Sequence, residues 1–155
     1  MGKHARILVV DDDESIRKTL AIILGEQGYQ VDTAENGSEA IAKSDAKFYN
    51  LALIDIRLPD MEGTELLTRI RDTMPRMRKI IITGYPTIPN AIEAVNRSAD
   101  AYVLKPFKMD KVLETIKEQL EKQEEEKKYS EGKVANFIET RARELEMNMT
   151  SKKSQ

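Results

Sequence analysis

The sequence predicts an α/β fold: a doubly wound parallel sheet of five strands with helices on both faces. Three observations predict it. Short β-like apolar runs alternate with helical apolar stripes along most of the chain. The first, third and fourth runs are apolar almost throughout, as central parallel strands covered on both faces must be. Turn-forming Gly, Pro and Asn residues fall between the runs rather than inside them.

Taken in order, Arg6 to Val10 is a strand that stops at Asp11-Asp12-Asp13. Asp13 suits the cap of a helix striped by Ile16, Leu20, Ile23 and Leu24 and ended by Gly28. Gln30 to Ala34 is a more polar second strand, which fits a sheet edge. Asn36-Gly37 is a turn, and Ser38 is the expected cap of a short helix through Ala46. Leu51 to Ile54 is the third strand and ends at Asp55. Pro59 and Gly63 interrupt the chain, and Leu66, Leu67 and Ile70 mark a helix closed by Pro75. Lys79 to Thr83 is the fourth strand. Ile88, Ile92 and Val95 predict a helix entered past Pro86 and Pro89. Ala101 to Leu104 is the fifth strand, and Val112, Leu113, Ile116 and Leu120 stripe the last core helix.

Beyond it the composition changes. Glu121 to Lys128 is almost entirely charged and reads as a solvated helix face. Ser130-Glu131-Gly132 predicts a break. Val134, Phe137, Ile138, Ala142 and Leu145 form an apolar stripe at helical spacing, and Thr150 to Gln155 read as disordered. The expected organisation is a core domain over residues 4–121 and a charged, amphipathic helical extension with a disordered end over 122–155.

The 155 residues carry 25 basic and 27 acidic side chains, a formal net charge of −2, and no cysteine. That balance predicts no broad basic surface for nucleic acid. The absence of cysteine excludes a disulfide framework, a thiolate metal site and a cysteine nucleophile. The apolar runs are too short to cross a membrane, and no signal-peptide core precedes the first strand, so a cytoplasmic protein is expected. His4, the single histidine, reads as part of a solvated terminus.

The chemistry lies at the strand ends. Strand one ends in Asp11 and Asp12, strand three in Asp55 and strand four in Thr83, and strand five runs into Lys105-Pro106. A lone Asp at a strand end is usually a turn former or a cap. A parallel sheet, however, brings all of these ends to one rim, where α/β folds bind ligands. Three carboxylates there repel one another unless a cation neutralises them, and an all-oxygen donor set calls for a hard ion, best Mg2+. Thr83 offers a hydroxyl and Lys105 an ammonium for phosphoryl oxygens, and Asp55 is placed for in-line attack to give an aspartyl phosphate.

These residues carry a resemblance. Ile7-Leu8-Val9-Val10-Asp11-Asp12, the stretch from Leu53 through Asp55, Pro59 and Gly63, Ile82-Thr83-Gly84-Tyr85 and Tyr102-Val103-Leu104-Lys105-Pro106-Phe107 occur in order over most of the chain. From Arg6 to about Leu120 the sequence resembles the receiver (CheY-like) domain of two-component response regulators. The resemblance implies a flavodoxin-like (βα)5 sheet in the order 2-1-3-4-5. It implies that a sensor histidine kinase phosphorylates Asp55. Mg2+ is then held by Asp12, Asp55 and the backbone carbonyl of Arg57, with help from Asp11. Thr83 and Lys105 hold the phosphoryl group, and the Lys105-Pro106 bond is cis. Thr83 and Tyr102 form the switch, acting on the face of the fourth helix, fifth strand and fifth helix. Arg57 and Tyr85, bulky at positions that vary in the family, are expected to lengthen the life of the phosphate. Ser98-Ala99 departs from the Gly-Ala common before strand five.

About 35 residues follow Leu120, with no second helix-turn-helix pattern. A stand-alone receiver without a DNA-binding effector is therefore expected, acting on a downstream protein or forming a homodimer through that face or the terminal helix. It is not expected to be an enzyme beyond its own phosphorylation and dephosphorylation. Two alternatives differ in class. A phosphatase of the haloacid dehalogenase type needs a second Asp two residues after its nucleophile, where this chain has Arg57. A pseudo-receiver binds partners without phosphorylation, but here all five site residues are present.

Overall fold

The computed structural model describes residues 4–84, 88–97 and 99–153. The elements run β1 (Arg6–Val10), α1 (Glu14–Glu26), β2 (Gln30–Ala34), α2 (Gly37–Ala46), β3 (Leu51–Asp55), α3 (Gly63–Arg69), β4 (Arg78–Thr83), α4 (Ile88–Asn96), β5 (Ala101–Leu104) and α5 (Met109–Lys153). They fall into two compact units, one through Gln123 and one from Glu124.

In the first unit the strands form one sheet, β2-β1-β3-β4-β5, with every pair parallel. The polar strand β2 is an edge, as its composition predicts. Side chains alternate across the pleat and supply two cores. Ile7, Val9, Leu51, Leu53, Ile80 and Ile82 pack with Leu20 and Leu24 of α1 and Val112, Ile116 and Leu120 of α5. Leu8, Val10, Ala52, Ile54 and Ile81 pack with Ala40 of α2, Leu66 and Leu67 of α3 and Ala94 of α4. Each large aliphatic side chain so buried contributes about 1.5–3 kcal/mol.

The helix signals hold with some corrections. Asp13 caps α1, its carboxylate accepting the N–H groups of Ser15 and Ile16, and Gly28 turns the chain in the left-handed region, φ 93°. The cap of α2 is Asn36, whose Oδ1 accepts the Glu39 N–H at 2.8 Å; the expected cap, Ser38, bonds to Asp60 instead. α3 ends at Arg69, before Pro75, because the backbone turns extended at Ile70 to bury its side chain. Ile92, one of the apolar residues that predict α4, is exposed, and α4 turns the smaller Ala94 to the sheet. Ser98 lies outside the described residues. The Met74-Pro75 and Lys105-Pro106 bonds are cis.

The first unit extends two residues past the expected boundary. Gln123, expected on a solvated face, is buried, and its Nε2 donates to the carbonyls of Asn50 (2.9 Å) and Arg76 (2.8 Å). The second unit is helical, with no break at Ser130–Gly132. One exposed glycine costs a helix only about 1 kcal/mol relative to alanine, and the flanks offset it: Lys133 sits over the Tyr129 ring and Arg143 donates to Glu139. The helix continues through Lys153, where a disordered end was expected. Val134, Phe137, Ile138 and Leu145 are exposed. No helix among the described residues is long and apolar enough to cross a membrane.

Candidate functional site

Four strand ends converge at the carboxyl rim. Val10 lies opposite Ile54, Asp55 opposite Ile82, and Thr83 opposite Leu104. The register alone therefore places Asp11, Asp55, Thr83 and Lys105 side by side. Asp11, Asp12 and Asp55 each present a carboxylate oxygen within 4.8 Å of the others. Asp11 is buried and Asp12 exposed. Asp13 faces away, serving α1 as its cap.

The corner after β1 is held by backbone and side-chain hydrogen bonds. Asp11 N–H donates to Ala34 O at 3.1 Å, Asp13 N–H donates to Asp11 Oδ1 at 2.9 Å, and Arg17 Nη1 donates to Asp11 O at 2.8 Å. On the other side, Lys105 N–H donates to Thr83 O at 2.7 Å. Its Nζ donates to Asp11 Oδ2 at 3.0 Å and lies 3.6 Å from Asp55 Oδ2. Thr83 is fully buried.

Close approach around Asp55 demands glycine at position 63. A Cβ there would lie 2.3 Å from the Asp55 carbonyl oxygen and 2.8 Å from Ile56 Cα. Arg57 is exposed and forms an isolated antiparallel bridge with Glu62. Tyr85 lies outside the described residues. Tyr102 on β5 packs against the core on the α4 side, and its hydroxyl oxygen is buried with no hydrogen-bond partner among the described residues.

The electrostatics follow from this crowding. Burial, then the negative charge of Asp11, pushes the Asp55 carboxyl above its ordinary range, against Lys105 and the Arg57 N–H. Burial alone would lower the Lys105 ammonium, but its bond to Asp11 and the charges of Asp11 and Asp55 raise it, so it stays protonated. When ionised, three carboxylates and one ammonium leave a formal excess of two negative charges. The donor set is all oxygen, and its span approaches the roughly 4.2 Å between opposite ligands of an octahedral Mg2+ with bonds of about 2.1 Å. The residues present therefore fit a hard divalent cation.

A five-stranded parallel sheet in this order, with this acidic rim, defines the CheY-like class of α/β domains. Residues 7–117 match the response regulator receiver domain, and the chain belongs to that family of two-component systems. It is similar to the transcriptional regulatory protein ZraR of Klebsiella oxytoca, 39% identical over 119 residues, 77% of this chain and 27% of that protein. It is also similar to the uncharacterized transcriptional regulatory protein YkoG of Bacillus subtilis (strain 168), 33% identical over 115 residues, 74% of this chain and 50% of that protein. The chain thus spans a quarter to a half of the length of these relatives. A solved CheY-like receiver domain protein from Methanospirillum hungatei JF-1 is 47% identical with a TM-score of 0.76, covering 79% of this chain and 98% of that one. The solution structure of the beryllofluoride-activated NtrC4 receiver domain dimer is 36% identical with a TM-score of 0.71, covering 76% of this chain and 98% of that one.

Proposed function

We propose that Asp55 accepts a phosphoryl group from the phosphohistidine of a sensor kinase and that the resulting aspartyl phosphate switches a protein–protein contact. The observation that carries this reading is the meeting of Asp55, Asp11, Asp12 and Lys105 on one rim. An Asp55 carboxylate oxygen attacks phosphorus as the phosphorus–nitrogen bond breaks, and the departing imidazole nitrogen takes the electron pair and then a proton. Lys105 Nζ and the Thr83 hydroxyl donate to the phosphoryl oxygens. Asp12, Asp55 and the Arg57 carbonyl, with Asp11, would hold Mg2+, which when bound neutralises charge on the carboxylates and on the transferring group.

The switch reading rests on Tyr102. A buried hydroxyl without a partner costs about 1–3 kcal/mol, which leaves the ring a reason to move when Thr83 is drawn to the phosphate. The α4-β5-α5 face carries exposed Ile92 and Leu104 for a partner or a second copy to cover, and the apolar stripe of the terminal helix is the other candidate. Arg57 and Tyr85 slow loss of the phosphate by screening it from water. In this reading the protein works in the cytoplasm, its output passes through protein contacts, and it catalyses only its own phosphorylation and dephosphorylation.

The test is incubation with Mg2+ and a small phosphodonor, read by intact mass and by size. A single phosphate adduct, absent in Asp55→Asn, is expected. So is a shift in size or partner binding that deletion of residues 130–155 removes if the terminal helix carries it. No adduct under any condition refutes the reading.

A further inference from the structure

We infer that the β2–α2 corner, which holds none of the site residues, is a brace that sets the separation of the Asp11–Asp12 corner and the loop that carries the Arg57 carbonyl, and that Asp60 is its positioning residue. The inference rests on the reading of the Asp55 centre given above and extends it to residues outside the rim.

The loop between β3 and α3 folds on itself. Leu58 N–H donates to Met61 O at 3.2 Å, and Gly63 N–H donates to Ile56 O at 2.6 Å. Its start is tied to the sheet by Ile56 N–H donating to Ile82 O at 3.3 Å. Its tip is tied to α2. The Asp60 carboxylate accepts the Gly37 N–H at 2.8 Å, the Ser38 N–H at 2.9 Å and the Ser38 hydroxyl at 2.8 Å. These two amides lack partners within the helix. The local cap serves a different amide, that of Glu39, while Glu39 Oε2 accepts the Glu35 N–H at 3.0 Å. Asp60 thus completes the helix end with a charge that the helix dipole favours. Met61 adds an apolar hold, since a Cβ on Gly37 would lie 2.4 Å from its Sδ.

The same corner receives the other loop. Ala34 O accepts the Asp11 N–H, and Arg17, which donates to Asp11 O, has Nη2 3.9 Å from Glu35 Oε2. Residues 34–38 therefore touch both the Asp11–Asp12 corner and the loop that carries the Arg57 carbonyl. Cutting the Asp60 tie frees the tip of that loop while leaving Asp55, Lys105 and both cores in place. Asp60 acts through the backbone it positions, as outer-shell partners of metal ligands do.

The experiment is calorimetric Mg2+ titration of the purified chain, with amide hydrogen exchange of residues 56–62 in chelator. Asp60→Ala is expected to weaken Mg2+ binding about tenfold and to speed exchange at the loop tip. Asp60→Asn, which keeps one acceptor oxygen, should recover part of both, and Ser38→Ala should show a smaller change in the same direction. If Asp60→Ala does not fold, these two decide. Ile116→Val, in the opposite core, lowers Tm without changing Mg2+ affinity, which separates positioning from plain loss of stability. A folded Asp60→Ala that binds Mg2+ within about twofold of wild type, with unchanged loop exchange, overturns the brace. A wild-type chain that binds no Mg2+ overturns the reading of the centre, and the brace is then decided by exchange alone.

Discussion

The two ends of the sheet both bury charge, but they balance it differently. At the amino end of β4 and β5, the Asp100 carboxylate accepts Arg76 through both Nη atoms at 3.1 and 2.7 Å, Arg78 Nη1 at 3.2 Å and the Lys79 N–H at 2.8 Å. Gln119 and Gln123 close the same end, their Nε2 groups donating hydrogen bonds to backbone carbonyls. One carboxylate there faces two guanidinium groups. At the carboxyl rim three carboxylates cluster and one lysine pairs with two of them, Asp11 and Asp55. The carboxylate of the first end is matched from within the chain, with a formal excess of one positive charge. The second keeps a negative excess, which in the proposed function a cation and a phosphoryl group complete. A count of buried charges would not tell the two apart; the sign left over does.

The pKa directions say the same. Burial works against an ionised Asp100, but the hydrogen bonds from Arg76 and Lys79 N–H and the charges of Arg76 and Arg78 outweigh it and hold its carboxyl below the ordinary range. Asp55 is shifted the other way. The largest expected effect is therefore at the closed end. Asp100→Ala should destabilise the chain by about 3 kcal/mol, because it removes the partly buried carboxylate that Arg76 and Arg78 share, and should leave Mg2+ affinity unchanged; denaturant melts and titration check both. Because the folded value of Asp100 is depressed, its contribution is fully present above the unfolded value near 3.8 and is lost as pH falls through the folded one. The gap between wild type and Asp100→Ala should therefore hold from pH 7 to about pH 4.5 and close below that.

Lys105→Ala comes next and should split two properties. Phosphoryl acceptance falls about 100-fold, since a donor to the developing charge is gone. Mg2+ binds more tightly, since a competing cation has left the carboxylates. Parallel loss of both would mean that Lys105 only holds the rim together. In metal-free buffer, Asp55→Asn should raise stability by about 1 kcal/mol by relieving repulsion with Asp11, opposite in sign to Asp100→Ala; a lower Tm would erase the contrast between the ends. The smallest effect belongs to the second unit. Gly132→Ala should add up to about 1 kcal/mol of local helix stability, seen as slower amide exchange around position 132, with no change at the rim.

The cores and the rim were legible because both depend on local pattern. The unbroken apolar runs Ile7–Val10 and Leu51–Ile54 mark strands buried on both faces, and a parallel sheet brings strand ends together whatever the loops do. The ties that refine the site were not legible. Asp60 and Ser38 are 22 residues apart, and nothing in either segment announces the other. Arg17 looks like any helix-surface arginine until its guanidinium reaches the Asp11 carbonyl. Gln123 sits among charged residues, and only the carbonyls of Asn50 and Arg76, far away in sequence, reveal it as buried. Gly132 misled in the other direction: glycine marks a turn where it closes off a helix, as Gly28 does, but strong helix formers on both sides carried the helix through it.

The central claim is that the phosphoryl group goes to Asp55, and the most direct test is to find where it goes. After reaction with a small phosphodonor and Mg2+, borohydride reduction converts an acyl phosphate to a primary alcohol, and an aspartyl residue so reduced reads as homoserine in peptide mass spectra. The account predicts homoserine at position 55 and at no other position. Homoserine at 11, 12 or 60 instead, or a phosphate that survives borohydride unchanged, would contradict it.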